Sequence, residues 1–523
     1  MNTEQTPKAS TDVLVVGAGP TGLALALFLT RMNVRVRIID KTAAPGTTSR
    51  ATVLHARTLE FYRQVGLAGH CVDGGAHFAG INLWVDGRHV TRAPFDNLGE
   101  PFSRFSFILI YPQDKQERML VAELERLGVR VERETELVSF EQLRGGVGAQ
   151  ITRAGTTESV NAAYIAGCDG AHSKVREQLG TGLPGGDYND LFYVADIEGT
   201  GPALNGEVNI ALDDADFLVV FPMKESGTGR LIGAVQHDPG KTAALQWSDV
   251  NTRVIERLKL GITKVNWFST YRVHHRVASA FRNGSAFLLG DAAHIHSPVG
   301  GQGMNTGIGD AVNLAWKLAG VLHKRIDPAV LDTYEVERIA FARQLVRSTD
   351  RAFTVATARG PVATRIRLTA FPFVLSNAFR FRAMRRFLFR TISQIGIRYP
   401  DSRLSAGRVG AVRGGDRLPW VEWTEAGKRR DNYEFFSSLD WQLHCYGEVP
   451  PAVRAGCEAR GIAVCAFPWQ REMQRAGLVR DALYLVRPDE YVGLASSAGN
   501  APAVEAYIKT LQLSPSPVAR YPS

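Results

Sequence analysis

A short continuous apolar run, Val13–Val16, stops at Gly17-Ala18-Gly19-Pro20-Thr21-Gly22, and the chain continues as an apolar helix over Leu23–Arg31. Runs of this kind suit strands buried on both faces of a parallel sheet. A second strand, Val34–Ile39, ends at Asp40, 23 positions after Gly17. Alone, the glycine pattern could be any tight turn. Strand, turn, helix, strand and acid together make a dinucleotide-binding βαβ unit. Gly17 allows the turn, Gly19 lets backbone approach a pyrophosphate, and Gly22 lets helix and strand pack closely. The helix start offers free N–H groups and a positive dipole end to the phosphates. Asp40, with Lys41 beside it, stands where a carboxylate meets a ribose. The same stretch resembles a signal peptide only superficially, because glycines and a proline punctuate it and no basic leader fits.

The 523 residues allow three to four domains at roughly 150 residues each. With 45% hydrophobic and 22% charged residues, long-range disorder is excluded. A net charge of +9 is modest for this length and, with no supporting motif, does not argue for nucleic acid. Cys71, Cys168, Cys445, Cys457 and Cys465 form no C-x-x-C, so a reducing cytoplasm is expected and no metal site. His294-x-His296 alone is too little for one. No run is long and apolar enough to span a bilayer.

Residues 50–70 read as a loop followed by a helix capped by Gly66, residues 115–128 read as another helix, and strands are expected near 129–133 and 147–153. A strand ending at Gly167-Cys168-Asp169-Gly170 should lead into a helix. From 190 to 275 the character changes. VNIAL, FLVVFP and RLIGAVQHD read as strands of a separate sheet. The strand AFLLGD follows, then a glycine-rich loop and a long helix from about Gln302 to His323. Residues 351–400 carry many arginines, no Asp or Glu, and interleaved phenylalanines. The expected reading is a packed helical segment with solvated arginines. Peripheral contact with an acidic membrane surface is the alternative. Residues 430–515 again alternate strands and helices.

Two further motifs narrow the dinucleotide. Gly290-Asp291-Ala292-Ala293-His294 closes a buried strand, and Pro298-Val299-Gly300-Gly301-Gln302-Gly303-Met304-Asn305 opens the long helix. A strand-end carboxylate can hold a ribityl hydroxyl. The following helix start can stabilise a reduced, anionic isoalloxazine. The other motif is Asp169-Gly170-Ala171-His172-Ser173-Lys174-Val175-Arg176, again a strand-to-helix turn. With these motifs the chain resembles the FAD-dependent aromatic hydroxylases, the single-component flavoprotein monooxygenases of the phenol hydroxylase and pentachlorophenol monooxygenase branch. The resemblance covers about residues 10–345. AVRGGDRLP and ALYLVRPDEYVGLAS are similar to parts of that branch's C-terminal thioredoxin-like domain.

The resemblance implies an α/β fold. A Rossmann-like FAD domain (10–180 and 281–345) carries an inserted mixed-sheet substrate domain (181–280). A helical segment (346–400) and a thioredoxin-like domain (420–515) follow. It implies FAD contacts from Gly17, Gly19, Gly22, Asp40, Lys41, Arg50, Gln113 and, through backbone, Leu137. Asp169 would link FAD to the nicotinamide cofactor and Asp291 would bind the ribityl chain. Pro298 would sit by the reactive face, and Gly301, Gly303, Met304 and Asn305 would meet the pyrimidine end. Two positions depart from the family: Gly309 replaces a common Gln, and Thr52 stands where phenol hydroxylase has the Asp thought to deprotonate the phenol.

The implied activity is a monooxygenase in which NADPH or NADH reduces FAD, dioxygen is captured as a C4a-hydroperoxide, and a phenolic or other small aromatic substrate is hydroxylated. Histidine is a suitable substrate base. His55 and His237 are the candidates, with His294, His296 and the Tyr271–His275 strand behind them. Baeyer–Villiger oxidation, dehalogenation, denitration or epoxidation of a polyketide-like substrate on the same fold are alternatives. A non-catalytic flavin- or ligand-binding protein is another. A monomer or a homodimer is expected.

Overall fold

The computed structural model describes residues 10–46, 51–95, 99–213, 217–235, 245–297, 299–357, 365–370, 373–374, 377 and 380–514. Arg50, His237 and Pro298 lie outside these residues. The first sheet is built on parallel pairs. Thr11–Val16 lies between Val36–Ile39 and Thr156–Gly167, and Ala286–Leu288 follows on the far side of Thr156–Gly167. Val13, Leu14 and Val15 are fully buried, as a strand covered on both faces requires. Helices Pro20–Arg31 and Gly303–Leu322 pack against each other, so both glycine-rich turns open along the same edge. Among the described residues no helix is long and apolar enough to cross a membrane.

The second sheet has eight strands. VNIAL and FLVVFP form strands with the expected bounds, Val208–Leu212 and Phe217–Pro222. They join Thr228–Val235, Gly185–Thr200 and the long Gly261–Val277 strand. The sheet is mixed because Val208–Leu212 pairs in parallel with Gly80–Val85. That strand and its hairpin partner Arg88–Pro94 precede residue 180. The second sheet therefore draws on chain outside the 181–280 span expected for it.

Strand periodicity gives the second sheet two unlike faces. One carries Tyr193, Ala195, Leu218, Val220 and Leu231 and is sealed by Val254, Ile255 and Leu258. The other carries Phe192, Phe217, Val219, Phe221, Ile232, Ala234 and Tyr271, most of them half-buried. Val219 and Phe221 pack toward the core of the first domain. The half-open aromatic face thus looks at the dinucleotide-binding domain.

The C-terminal domain is a sheet ordered Val412–Arg413, Ala406–Val409, Val492–Ser496, Leu483–Val486, Gln442–Tyr446 and Ala463–Phe467, with helices Pro451–Glu458 and Ala501–Thr510. Its five-residue turn, Arg487–Tyr491, is buried against the first domain.

Candidate active site

At the first glycine-rich turn the packing is close. Gly17 has φ +101°, and a Cβ there would lie 2.4 Å from the Cys168 carbonyl oxygen; one on Gly22 would lie 1.9 Å from the Gly17 oxygen. Gly19 differs, since a Cβ there would have no atom within 4 Å. Open space beside an uncapped helix start is what a pyrophosphate needs. The Asp40 carboxylate accepts from Ala18 N at 2.6 Å and Thr42 N at 2.8 Å, so it also braces the turn. Lys41 is exposed beside it. Gln113 starts a helix, accepts from Ala51 N at 3.4 Å and donates to Glu117 at 2.8 Å. Leu137 is buried on a hairpin strand opposite Ile151.

Gly19→Ala is therefore expected to fold normally, with backbone angles any residue tolerates. Its FAD affinity should fall by about tenfold or more, a loss of about 1.4 kcal/mol. Titration of apoprotein with FAD checks this, and unaltered affinity would place the pyrophosphate elsewhere.

At the second turn Asp291 is exposed beside Gly290, whose φ is +57°. Gly290 N donates to Asp310 at 3.0 Å, and Asp310 also takes His294 Nε2 at 2.7 Å and Arg338 Nε at 2.6 Å. Burial alone would raise the Asp310 carboxyl, but Arg338 and His294 hold it below the usual range. Arg338 reaches on to the Tyr399 hydroxyl at 2.8 Å. Gly300 and Gly301 take φ of +78° and +61°. The Asn305 side chain stitches this loop down. It accepts from His55 N and Thr58 Oγ1 and donates to the Val53 and Gly301 carbonyls. No side chain caps the Gly303–Leu322 helix, so the first-turn N–H groups of Gly303, Met304 and Asn305 have no intrahelical partner. An electron-rich flavin edge fits such a helix end. Asp169 accepts from Lys174 N at 2.7 Å and Val175 N at 3.2 Å and so caps the next helix.

His55 is fully buried behind the loop, with Nε2 3.0 Å from the Gly300 oxygen. Burial pushes its pKa down to about 4, against the pull of the Gly300 and Gly301 carbonyls. The ring is neutral at pH 7 and holds the loop. A folded pKa below the ordinary value near 6.5 means that unfolded chain binds more protons between the two. Stability should fall as pH drops from about 6.5 to 4, by up to about 3 kcal/mol from this residue. Melting temperatures of wild type and His55→Gln across that range check it. The wild-type slope should be the steeper.

On the aromatic face of the second sheet stands one buried cation. Arg230 is 2% exposed and lies directly across from Asp196 in the neighbouring strand. Its guanidinium holds Asp196 at 2.6 and 2.7 Å and donates to Thr52 Oγ1 at 2.8 Å. Thr52 precedes Val53, whose side chain packs on Gly301. The cation is therefore set between the aromatic face and the second glycine loop.

The FAD binding domain family matches residues 10–349. The chain belongs to the FAD-dependent monooxygenases of the aromatic-hydroxylase family. It is 33% identical to 6-methylpretetramide 4-monooxygenase of Streptomyces rimosus, over 97% of this chain and 95% of that one. It is 32% identical to pentachlorophenol 4-monooxygenase of Sphingobium chlorophenolicum, over 79% and 76%. The structure of aklavinone-11 hydroxylase with FAD and aklavinone superposes with a TM-score of 0.77, at 25% identity, covering 97% of this chain and all of that one.

In this FAD-dependent monooxygenase most of the described candidates gather at two places, while Gln113, Leu137 and the Asp169 carboxylate lie apart on a helix start, a hairpin strand and a third turn. Gly17, Gly19, Gly22 and Asp40 form the first turn; His55, Asp291, Gly301, Gly303, Met304 and Asn305 gather at the second. Sequence reasoning missed Arg230, and it missed the Asp310–Arg338–Tyr399 chain under the second turn. The one signal for Arg230 was a charge at the head of the apolar stretch LIGAV. The RPDEY turn of the C-terminal domain was read only as part of the stretch similar to a thioredoxin-like domain. Its Arg487 holds Glu337 at 2.7 Å and Asp489 at 2.6 Å, all three fully buried. Arg57 bonds both Glu60 and Glu490, and Arg417 bonds Glu60.

Proposed function

We propose that the enzyme hydroxylates a polycyclic, polyketide-like phenol and takes it as the phenolate. The observation that carries this is Arg230, a buried cation on an aromatic face, fixed by Thr52 beside the second glycine loop. Phe192, Phe217, Phe221 and Tyr271 would hold the rings and exclude water. Arg230 would hold the phenolic oxygen in its ionised form, whose ring carbons are more electron-rich than those of the neutral phenol. Thr52 cannot act as a base. With a cation beside it, none is needed: the phenol ionises to water before docking, and the ion pair keeps it ionised. Bound FAD, reduced by NAD(P)H, supplies the activated oxygen. The relatives named for 6-methylpretetramide and pentachlorophenol, and the aklavinone complex, support an aromatic substrate.

His55 is a positioning residue for the loop, and Asp169 bears on the nicotinamide cofactor through its turn. Both sides of the site come from one chain, so a monomer suffices. All five cysteines are free and buried, which suits a reducing compartment.

The test is anaerobic reduction of the holoenzyme by NADPH and by NADH, with and without a panel of phenols. A phenol that speeds flavin bleaching and gains oxygen when air is admitted is the expected result. Equal bleaching with and without every phenol, and no oxygenated product, would overturn the reading.

A further inference from the structure

Residues 351–400 contain ten arginines and no Lys, Asp or Glu, so the other 473 residues sum to −1 against the chain's +9. The excess charge is local. Within it, helix Arg382–Ile392 flanks a cavity of about 800 Å³ shared with helix Asp332–Thr357 and the turn at Gly396–Ser402. Small-molecule sites commonly span about 300–1,000 Å³. Phe102, Phe341 and Phe387 give the cavity aromatic walls, and Arg386, Arg390 and Arg398 line it as well. None of Arg230, Thr52, Val53 or Gly301 lines it.

The three arginines are unequally satisfied. Arg398 pairs with Asp416 at 3.2 Å. Arg386 gives one N–H to the Glu100 carbonyl at 3.3 Å, while its buried Nε has no partner. The Arg390 guanidinium stacks over Phe102 at 4.8 Å and, among the described residues, makes no hydrogen bond or ion pair. Burial and the nearby charges of Arg398 and Arg417 push its pKa down. Guanidiniums crowded at an apolar cavity with too few acids are costly without an anion. A planar guanidinium stacked on a phenyl ring is also well placed to grip a carboxylate attached to a flat ring system.

The cavity has two hydrogen-bonded links to the second glycine loop. Tyr399, on its wall, takes Arg338, which runs to Asp310 and Gly290. Gln394, two residues before Gly396, donates to Thr306 Oγ1 at 2.9 Å and to the Gln302 carbonyl at 3.4 Å.

We propose that this cavity is a second ligand site, separate from the flavin face, that binds an aromatic carboxylate through Arg386 and Arg390. The occupant is the substrate or product itself where that molecule carries an acid group, or a distinct aromatic acid acting as effector.

The experiment titrates FAD-loaded enzyme with fluorescent anthracene-2-carboxylate and, in parallel, with the neutral 2-(hydroxymethyl)anthracene. The acid should bind more tightly than the alcohol. Arg390→Gln, and more so with Arg386→Gln, should weaken the acid by about tenfold or more and leave the alcohol unchanged. FAD content and NAD(P)H-driven flavin reduction without probe should match wild type. That separates failure here from failure of the phenol reading, which needs no probe. Displacement of the probe by a hydroxylated phenol identifies the occupant as substrate or product; persistence alongside it identifies an effector. Equal affinity of wild type and double variant for the acid overturns the proposal. So does arginine-dependent binding to phosphatidylglycerol vesicles with probe affinity unaltered, because the arginines would then serve a lipid surface.

Discussion

Arg230→Met is expected to lower kcat/KM on an alkylphenol by about a hundredfold with FAD content unchanged. A charged hydrogen bond inside a site is worth about 1.5–3 kcal/mol. Arg230 fits that description by keeping the bound substrate in its ionised form, whose ring is the more electron-rich. A merely structural role would cost every substrate alike. The electrostatic role makes a sharper forecast. A nitrophenol, already ionised at neutral pH, should lose far less than an alkylphenol. The acidic limb of the kcat profile, which reports the bound phenol, should move up toward the free phenol value, near 10 for a tyrosine-like group. Arg230→Lys should recover part of the loss, since the charge returns without the fork that grips Asp196 and Thr52. A uniform loss across phenols, with an unmoved profile, would reduce Arg230 to a brace for Asp196.

That residue shows where sequence reasoning stops. The turn GAGPTG was legible because it needs three glycines at set places, two of which have no room for a Cβ. VNIAL and FLVVFP were legible because turn residues bound them. Which of their side chains face the flavin was not, since a one-residue slip reverses every strand position. Register here depends on partners such as Asp196 opposite Arg230, 34 positions away. The Gly80–Val85 strand was missed for a related reason: its parallel partner begins at Val208, so no local pattern announces its sheet. The position of His55 in the sequence, beside the second glycine loop, does not tell that the ring is sealed behind Gly300. The RPDEY turn was the least legible, because a charged turn is ordinarily solvated and burial of Arg, Asp and Glu together is rare.

That turn carries the second large effect. Arg487→Met should destabilise the attachment of the C-terminal domain by about 3–5 kcal/mol, because Glu337 and Asp489 would stay buried without their main cation. Lys317 at 2.9 Å from Glu337 is what remains. Replacement of Arg487, Glu337, Lys317 and Asp489 together by Met, Leu, Met and Leu should recover most of the loss, since an apolar core removes the burial cost of charge. The wild-type network also has a pH signature. Burial alone would raise Glu337, but Arg487 and Lys317 outweigh it and hold the carboxyl far below its ordinary value. A depressed carboxyl stabilises the fold above its unfolded pKa, about 4.3, and that stability is lost as pH falls below it. The consequence reaches the flavin because Glu337 and Arg338 are neighbours on one helix. Glu337 faces Arg487, while Arg338 grips Asp310 under the second glycine turn. Loosening the C-terminal domain should therefore loosen FAD. Arg487→Met should show faster limited proteolysis near residue 410 and a parallel rise in free-flavin fluorescence, both largest near neutral pH and smaller at acid pH, where the buried Glu337 carboxyl, no longer held down by Arg487, takes up a proton. Cleavage of the C-terminal domain with FAD fully retained would show that the two grips on that helix act independently.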